Sequence, residues 1–346
     1  MKVAVLTSGG VDSSVALMLL RQAGHDVTAF YLKIWLEDEL AYLGECPWEE
    51  DLKYVQAICE REKIPLEIVP MQKEYWDKVV SYTVAECKVG RTPNPDVLCN
   101  EQIKFGLFYD KIDASFEKIA TGHYAQVEEK EGMFYLKRAP DPVKDQTYFL
   151  ARLSQKQLAR ALFPIGHLKK EEVRVLAQKF DLPNQARKDS QGICFLGKIP
   201  YREFIKHHLG EKEGDFVDQN AGKKVGTHKG YWFYTIGQRS GLGLSGGPWF
   251  VAKKDLEKNV IILAHGYAPE EVKSDHFKVG EIHFLSGERA LPLDCQIKIR
   301  HSAELYEGTL GTEGQVSLKE PLHGVAPGQF AVFYDGDSCV ASGVIA

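Results

Sequence analysis

No stretch of this 346-residue chain approaches the roughly 18 consecutive apolar residues that a membrane-crossing helix needs. The first apolar run, residues 3–6, passes straight into a glycine turn, which leaves no room for a secretory leader. Cysteine is scarce and never arranged as Cys-x-x-Cys: Cys46, Cys59, Cys87, Cys99, Cys194, Cys295 and Cys339 are odd in number and widely scattered. That argues against a disulfide framework or a zinc knuckle and for a reducing compartment, with the missing leader favouring the cytoplasm. Positive charge is not in excess either. With 43 basic against 48 acidic side chains the net charge is −5, so any nucleic-acid partner must be met by locally gathered cations. Internal repeats and low-complexity segments are also missing.

What is present is material for packed cores: 44% of the residues are hydrophobic, and the length suits two or three domains. Residues 2–125 alternate apolar β-type runs (2–7, 27–32, 66–69, 118–121) with amphipathic stretches (11–23, 49–63, 73–88), the pattern of a parallel sheet covered by helices. Residues 124–127 and 133–137 flank a Glu/Lys/Gly turn and read as a hairpin, followed by helices over 145–162 and 169–180. After about residue 205 glycine becomes dense and the runs become short, aromatic and β-branched. The last 75 residues read as some five strands between glycine turns, including 296–300, 314–318 and 329–334, which suggests a small antiparallel barrel. The expected organisation is a doubly wound α/β domain over 1–205, a small glycine-rich β-containing domain over 206–271 and a C-terminal antiparallel β-barrel over 272–346.

Three segments are built for chemistry. Ser8-Gly9-Gly10-Val11-Asp12-Ser13-Ser14 follows the first strand and opens a helix. Adjacent glycines let backbone N–H groups approach a phosphate, the helix supplies its positive end, and the serines add hydroxyl donors. The turn is neither a Walker A loop, having no Lys-Ser/Thr after its glycines, nor a Gly-x-Gly-x-x-Gly dinucleotide turn. The second segment, residues 90–100, holds two prolines that stiffen a loop, with Asp96 and then Cys99 where a helix begins. A helix N-terminus raises the thiolate fraction of a cysteine. In the third, residues 188–197, Cys194 follows a polar glycine-containing turn. Either cysteine alone reads as a small buried hydrophobe. Together they read as a sulfur-handling pair, one thiol holding a transferable sulfur and the other releasing it as a disulfide forms.

The first heptapeptide resembles the pyrophosphate loop of the PP-loop ATP-pyrophosphatases. With residues 90–100, 120–125, 144–150, 189–195 and 234–239, in that order, the chain resembles the tRNA-specific 2-thiouridylase family. The resemblance implies an ATP-dependent sulfurtransferase that adenylates and thiolates the 2-position of the wobble uridine, working with magnesium and with a persulfide sulfur from a donor protein such as a cysteine desulfurase or a sulfur-relay protein. Carried over by motif, ATP falls on Leu6, Thr7, Ser8, Gly9, Gly10, Val11, Asp12 and Ser13, with Leu32 beside the adenine and Gly122 in the Thr-Gly-His turn. Cys99 matches the nucleophile, Cys194 the persulfide carrier and Asp96 the acid/base. Contacts to tRNA fall on Asn94, Pro95, Asp96, His123, Lys144, Asp145, Gln146, Arg300, His301 and Gln329. Two positions depart from the family's habit: Leu32 stands where methionine is usual, and His301 where an aromatic commonly follows the arginine. Lys198, Arg202, Lys206, Lys223, Lys224, Lys229 and Arg239 would supply the positive surface that the net charge conceals. The rival readings are a metabolite-amidating PP-loop ligase, which has no use for two redox-active thiols, and a non-catalytic tRNA binder.

Overall fold

The structure, a computed structural model, describes residues 1–34, 47–189, 200–266 and 269–346. Cys46, Cys194 and Lys198 lie outside the described residues. Its first unit is a parallel sheet of β1 (Lys2–Leu6), β2 (Asp26–Lys33), β3 (Leu66–Pro70), β4 (Lys118–Ala120) and β7 (Ala161–Leu162), in the order β3-β2-β1-β4-β7. Every pairing is parallel. Central β1 is covered on both faces, with Val3, Ala4 and Val5 fully buried, which explains its unbroken apolar run. Helix α1 (Val11–Gln22) buries Val15 and Leu17 against the sheet, ~1.5–3 kcal/mol for each side chain. Its end is a Schellman turn: His25 N–H donates to Leu20 O and Gly24 N–H to Arg21 O, with Gly24 at φ 78°. The chain reverses direction of strand order between β1 and β4, so the crevice at their carboxyl ends is where such a sheet receives a ligand.

One sequence expectation needs correction. The single helix over 145–162 is two short ones, α4 (Thr147–Leu150) and α5 (Gln155–Arg160), followed by edge strand β7. Ser154 starts α5 afresh through a capping box with Gln157, a Ser-x-x-Gln signal that a hydrophobic-period reading passes over. The hairpin of β5 (Ala125–Lys130) and β6 (Met133–Arg138) does form, yet it does not extend the parallel sheet. Instead β6 pairs with the last strand of the chain, Leu136 opposite Cys339.

The middle unit is a four-stranded sheet in the order β10-β11-β8-β9, with β8 (Gly214–Asp218), β9 (Lys224–His228), β10 (Trp249–Asp255) and β11 (Val260–His265). The C-terminal unit is antiparallel: β12 (Lys273–Lys278), β13 (His283–Phe284), β14 (Leu293–Lys298), β15 (Tyr306–Leu310), β16 (Gln315–His323), β17 (Phe330–Asp335) and β18 (Ser338–Val344). A bridge between Val279 and Ile345 brings the two ends of this sheet together. A cut at 205/206 would divide the helix Tyr201–Leu209, whereas 271/272 falls in the short turn Glu270–Val272 ahead of β12. One core spans the first unit, the hairpin and the barrel, since Phe105, Tyr148, Leu136 and Phe330 pack in the same cluster. No described helix is long and apolar enough to cross a membrane.

A buried ion pair fastens these units. Lys298 Nζ of β14 lies 2.8 Å from Asp145 Oδ2, and neither side chain is exposed at all. Arg138 Nε reaches the same carboxylate at 3.2 Å, and Thr147 Oγ1 donates to its other oxygen at 2.8 Å. Burial would raise the Asp145 pKa, but the Lys298 charge and these hydrogen bonds hold it below the usual carboxylate range. Lys298→Met takes away the buried cation and leaves the Asp145 carboxylate to Arg138 and Thr147, and is expected to cost about 3 kcal/mol in a urea denaturation. The Lys298→Met/Asp145→Leu double variant should recover most of that loss.

Candidate active site

At the β1/β4 crevice lies a cavity of about 340 Å³. Thirteen of the expected site residues line it: Leu6, Thr7, Ser8, Gly10, Val11, Asp12, Ser13, Leu32, Cys99, Gly122, His123, Lys144 and Gln146. Segments more than a hundred residues apart in sequence therefore share one chamber.

The loop after β1 is shaped by close approach. Gly9 has φ 72°, and a Cβ there would stand 2.5 Å from the backbone oxygen of Asp51. Across the crevice, a Cβ on Gly122 would stand 2.6 Å from the Ser13 nitrogen, so β4 closes directly against the start of α1. Gly9 thus acts from behind the cavity wall rather than in it. Ser13 Oγ accepts from the Ser8 N–H at 3.2 Å and donates to Gly10 O at 3.1 Å, while Ser14 Oγ donates to Gly10 O at 2.9 Å. From outside, Asn184 Nδ2 and an Arg187 guanidinium N–H donate to Gly9 O at 2.8 and 3.1 Å. The loop is held open by its neighbours, at the positive end of a twelve-residue helix, as an anion cradle requires.

One wall is flat and apolar. Tyr31, Leu32 and Ile34, at and just past the end of β2, line the cavity with Trp48, whose indole Nε1 is buried with no hydrogen-bond partner among the described residues. A buried donor without an acceptor is costly and suits a site that awaits a polar ring. Neither Trp48 nor Asp51 stood out in the sequence, because their segment meets the cradle only in three dimensions.

Ion pairs run along the cradle. Asp12 accepts from the Tyr124 hydroxyl at 2.9 Å and pairs with Lys170 at 2.7 Å. Lys170 also meets Asp189 at 2.7 Å, which in turn pairs with Lys144 at 2.6 Å and Arg174 at 2.5 Å. Burial opposes ionisation of Asp189, yet the contacts with Lys144 and Lys170 bring its pKa down to about 2. Asp51 is bound by Arg187. Lys144 is therefore a strut to Asp189 at the edge of the cavity. The arrangement also bears on magnesium. Asp12 and Asp51, the carboxylates nearest the loop, are each committed to a cation, and among the described residues no group of three His, Cys, Asp or Glu is gathered for a metal. These side chains build no magnesium cage of their own.

Cys99, 1% exposed, also lines the cavity. Helix α3 (Pro95–Leu98) begins at Pro95 with Asn94 as its cap, so Cys99 sits a turn inside the helix rather than at its N-terminus. The helix-end activation expected from sequence is correspondingly weaker, because that effect fades within the first turn. Asp96 lies on the first turn of the same helix but does not line the cavity. His123, in contact with Thr121 through a 2.7 Å Oγ1–Nδ1 hydrogen bond, is held well below the usual histidine pKa by burial and then by the Lys104 charge. It is neutral at pH 7. Gln146 accepts from the Tyr124 N–H at 3.0 Å.

The remaining expected RNA contacts fare differently. The Asp145 carboxylate is sealed in the Lys298 pair and is not itself exposed. Pro95 is buried. Gln329 Nε2 donates to Thr92 O and Pro93 O at 2.9 and 3.2 Å, so its amide pins the stiff loop that leads to Cys99. Arg300 is exposed beyond the end of β14. His301 lies against Phe149, ring centroids 4.6 Å apart, with Nε2 3.2 Å from Asp145 O. An aromatic shelf thus survives the departure at this position. Of the expected basic surface, Lys206 and Lys229 both meet Glu211, Lys224 meets Asp215, and Arg202 lies over the Phe233 ring.

Three family models match the chain end to end: a tRNA methyl transferase HUP domain over residues 1–198, a tRNA methyl transferase PRC-barrel domain over 202–265 and an aminomethyltransferase beta-barrel domain over 274–345. The chain is 48% identical to the tRNA-specific 2-thiouridylase MnmA 1 of Bacteroides thetaiotaomicron and to the tRNA-specific 2-thiouridylase MnmA of Parabacteroides distasonis. It is 47% identical to that of Porphyromonas gingivalis. Each of these similarities covers 100% of this chain and 99% of the relative.

Proposed function

The chain belongs to the tRNA-specific 2-thiouridylase family, and on that footing we propose that it is an ATP-dependent sulfurtransferase that thiolates the 2-position of the wobble uridine of tRNA. The observation that carries this reading is the meeting, in one cavity, of a phosphate-cradling loop, a flat slot with an unpartnered indole N–H, and Cys99.

Uracil O2 is a poor leaving group, so it is first activated. ATP lies with its triphosphate on Ser8 to Ser13 and its adenine between Leu32 and Trp48. Uracil O2 attacks the α-phosphorus, pyrophosphate departs, and the oxygen becomes part of an AMP leaving group. Magnesium, when bound, is carried mainly on the ATP phosphates, as is usual for that ion. The terminal sulfur of a Cys194 persulfide, loaded by a cysteine desulfurase or a sulfur-relay protein, then attacks C2 and AMP leaves. Cys99 thiolate attacks the Cys194 sulfur, the S–S bond to the base breaks, and 2-thiouridine is released with a Cys99–Cys194 disulfide that a two-electron reductant must reopen. Asp96 manages a proton near the target base. The base must leave its stack to reach this chamber, and the loop around Asn94, the Arg300–His301 corner and the middle domain grip the RNA.

Mass spectrometry of tRNA nucleosides from cells lacking the protein tests the reading: wobble 2-thiouridine should vanish and return with the gene. Unchanged 2-thiouridine refutes it. Pyrophosphate release should also depend on tRNA, whereas release driven by a small metabolite would favour the amidating ligase. Binding of tRNA should weaken steeply with salt as phosphate contacts release counterions. Arg300→Ala should lower affinity about 3–10-fold and reduce the salt slope by about one while ATP binding stays at the parental level. A salt-independent affinity would point away from RNA.

A further inference from the structure

The helix that presents Cys99 is not a regular one. After α3 it widens into a π turn, Cys99–Lys104, marked by donation from Phe105 N–H to Asn100 O at 3.0 Å, five residues back. In an α-helix, at 3.6 residues per turn, residue i+5 stands about 140° around from residue i. A turn closed by i to i+5 hydrogen bonds, with about 4.4 residues per turn, brings that residue back to within roughly 50° of residue i. Lys104 is the i+5 neighbour of Cys99, and both line the cavity.

The wide turn is built in. Gln157 Nε2 donates to Glu101 O at 2.7 Å and to Phe105 O at 2.9 Å, satisfying carbonyls at this irregular stretch. Asn100 Nδ2 donates to Asp96 O and to Phe149 O at 3.0 and 3.2 Å. Gly106 ends the segment where a Cβ would stand 2.4 Å from Gln102 O, so the chain turns away tightly behind Lys104. Such turns are rare and recur where a side chain must be re-aimed at a site.

Resting on the thiolation reading, we propose that the π turn exists to set Lys104 beside Cys99, where its ammonium stabilises the Cys99 thiolate. The helix N-terminus is a turn away and supplies little of that stabilisation, while the thiolate is the form that attacks. Lys188 also lines the cavity, and among the described charged groups there only Lys104 is set on the turn that carries Cys99. His123 is held neutral by its burial and by the Lys104 charge itself, which places that charge near His123. Lys144 is paired with Asp189, and Asp12 with Lys170. Asp96 lies earlier on the same helix, in its first turn. Behind the π turn, Lys73, Asp77 and Lys78 are exposed and Glu74 is paired with Lys111.

The test is the pH dependence of Cys99 alkylation by iodoacetamide in the full-length protein, followed on the Cys99 peptide by mass spectrometry. Lys104→Met should move the midpoint of reactivity upward and slow alkylation at pH 7 about tenfold, the change that one unit of thiol pKa brings. Lys104→Arg, which keeps the charge, should restore most of the rate. The Lys104→Met enzyme should likewise recover part of its thiolation rate at alkaline pH. An unshifted alkylation midpoint in Lys104→Met overturns the proposal, as does a parental Cys99 that resists the reagent at every pH. A parental enzyme that fails to thiolate tRNA at all, with the alkylation shift intact, strikes the functional reading and not the role of Lys104.

Discussion

Gly9→Ala is expected to abolish ATP binding, at least about a hundredfold by isothermal titration, or ~2.7 kcal/mol. Two effects combine in one methyl group. At φ 72° any L side chain carries roughly 1–2 kcal/mol of backbone strain. In addition its Cβ would stand 2.5 Å from the Asp51 backbone oxygen and 2.8 Å from the Asp51 Cα, neither of which belongs to a flexible side chain. The loop must shift into the cavity or α2 (Pro47–Glu62) must move off, and the second route also displaces Trp48 from the adenine slot. Gly122→Ala should act from the other side, pushing β4 from the Ser13 nitrogen that its Cβ would approach to 2.6 Å. Gly24→Ala is the control. It shares the positive φ, at 78°, but nothing lies within 4 Å of its Cβ, so it should cost some stability and leave ATP affinity intact. Parental ATP affinity in both Gly9→Ala and Gly122→Ala would remove the phosphate cradle from the reading.

The two cysteines should fail in different ways, each with complete loss of thiolation. Cys194→Ser removes the sulfur carrier, so ATP and tRNA still bind, yet no protein persulfide is trapped at that position. Cys99→Ser leaves Cys194 able to be loaded: without tRNA its persulfide should persist, and with ATP and tRNA the sulfur should be held as a reducible Cys194–base disulfide, so that free 2-thiouridine stays absent without an external reductant. Intact-mass measurement before and after reduction separates the cases, a persulfide adding one sulfur that a thiol reductant removes. Cys99 lines the cavity and is 1% exposed, so the Cys194 sulfur must be delivered into the chamber. Bonding needs the two Cα atoms about 4.4–6.8 Å apart. Asp189, held by Lys144, Lys170 and Arg174, is the anchor from which the Cys194 segment departs. Full thiolation by either single Cys→Ser variant would end the persulfide scheme.

Local signals carried much of the outline. The buried run of β1, the double glycine behind it and the helix after it each follow from a few adjacent residues, and their consequence is local: a strand, a sharp turn, a helix with an anion-seeking end. The glycine-spaced, β-branched runs of the last third likewise announce an antiparallel sheet. The hydrophobic period missed Ser154, where a capping box restarts a helix inside an apolar stretch; the hairpin itself was legible, but its partner strand, some two hundred residues later, was not.

The sequence by itself determined which side chains bear chemistry here: a glycine-serine turn, two cysteines in polar surroundings, and a proline-stiffened loop, all identifiable from residue type and near spacing. Tertiary structure alone decided how each is used. Asp145 and Lys298 are 153 positions apart, and only their common burial turns the pair into a fastening between domains. Gln329 became a clamp on Thr92 and Pro93 because the barrel packs against that loop. Trp48 and Asp51 reached the cradle only when α2 folded over β2. The physical reason is that hydrogen bonds, caps and helix-end fields act over a few residues, whereas desolvation and charge pairing depend on what the whole chain brings into contact. Lys104 stands between the two: its spacing from Cys99 is written in the sequence, but an α-helix would turn the pair apart, and the carbonyl-capping Gln157 is fifty-odd residues away.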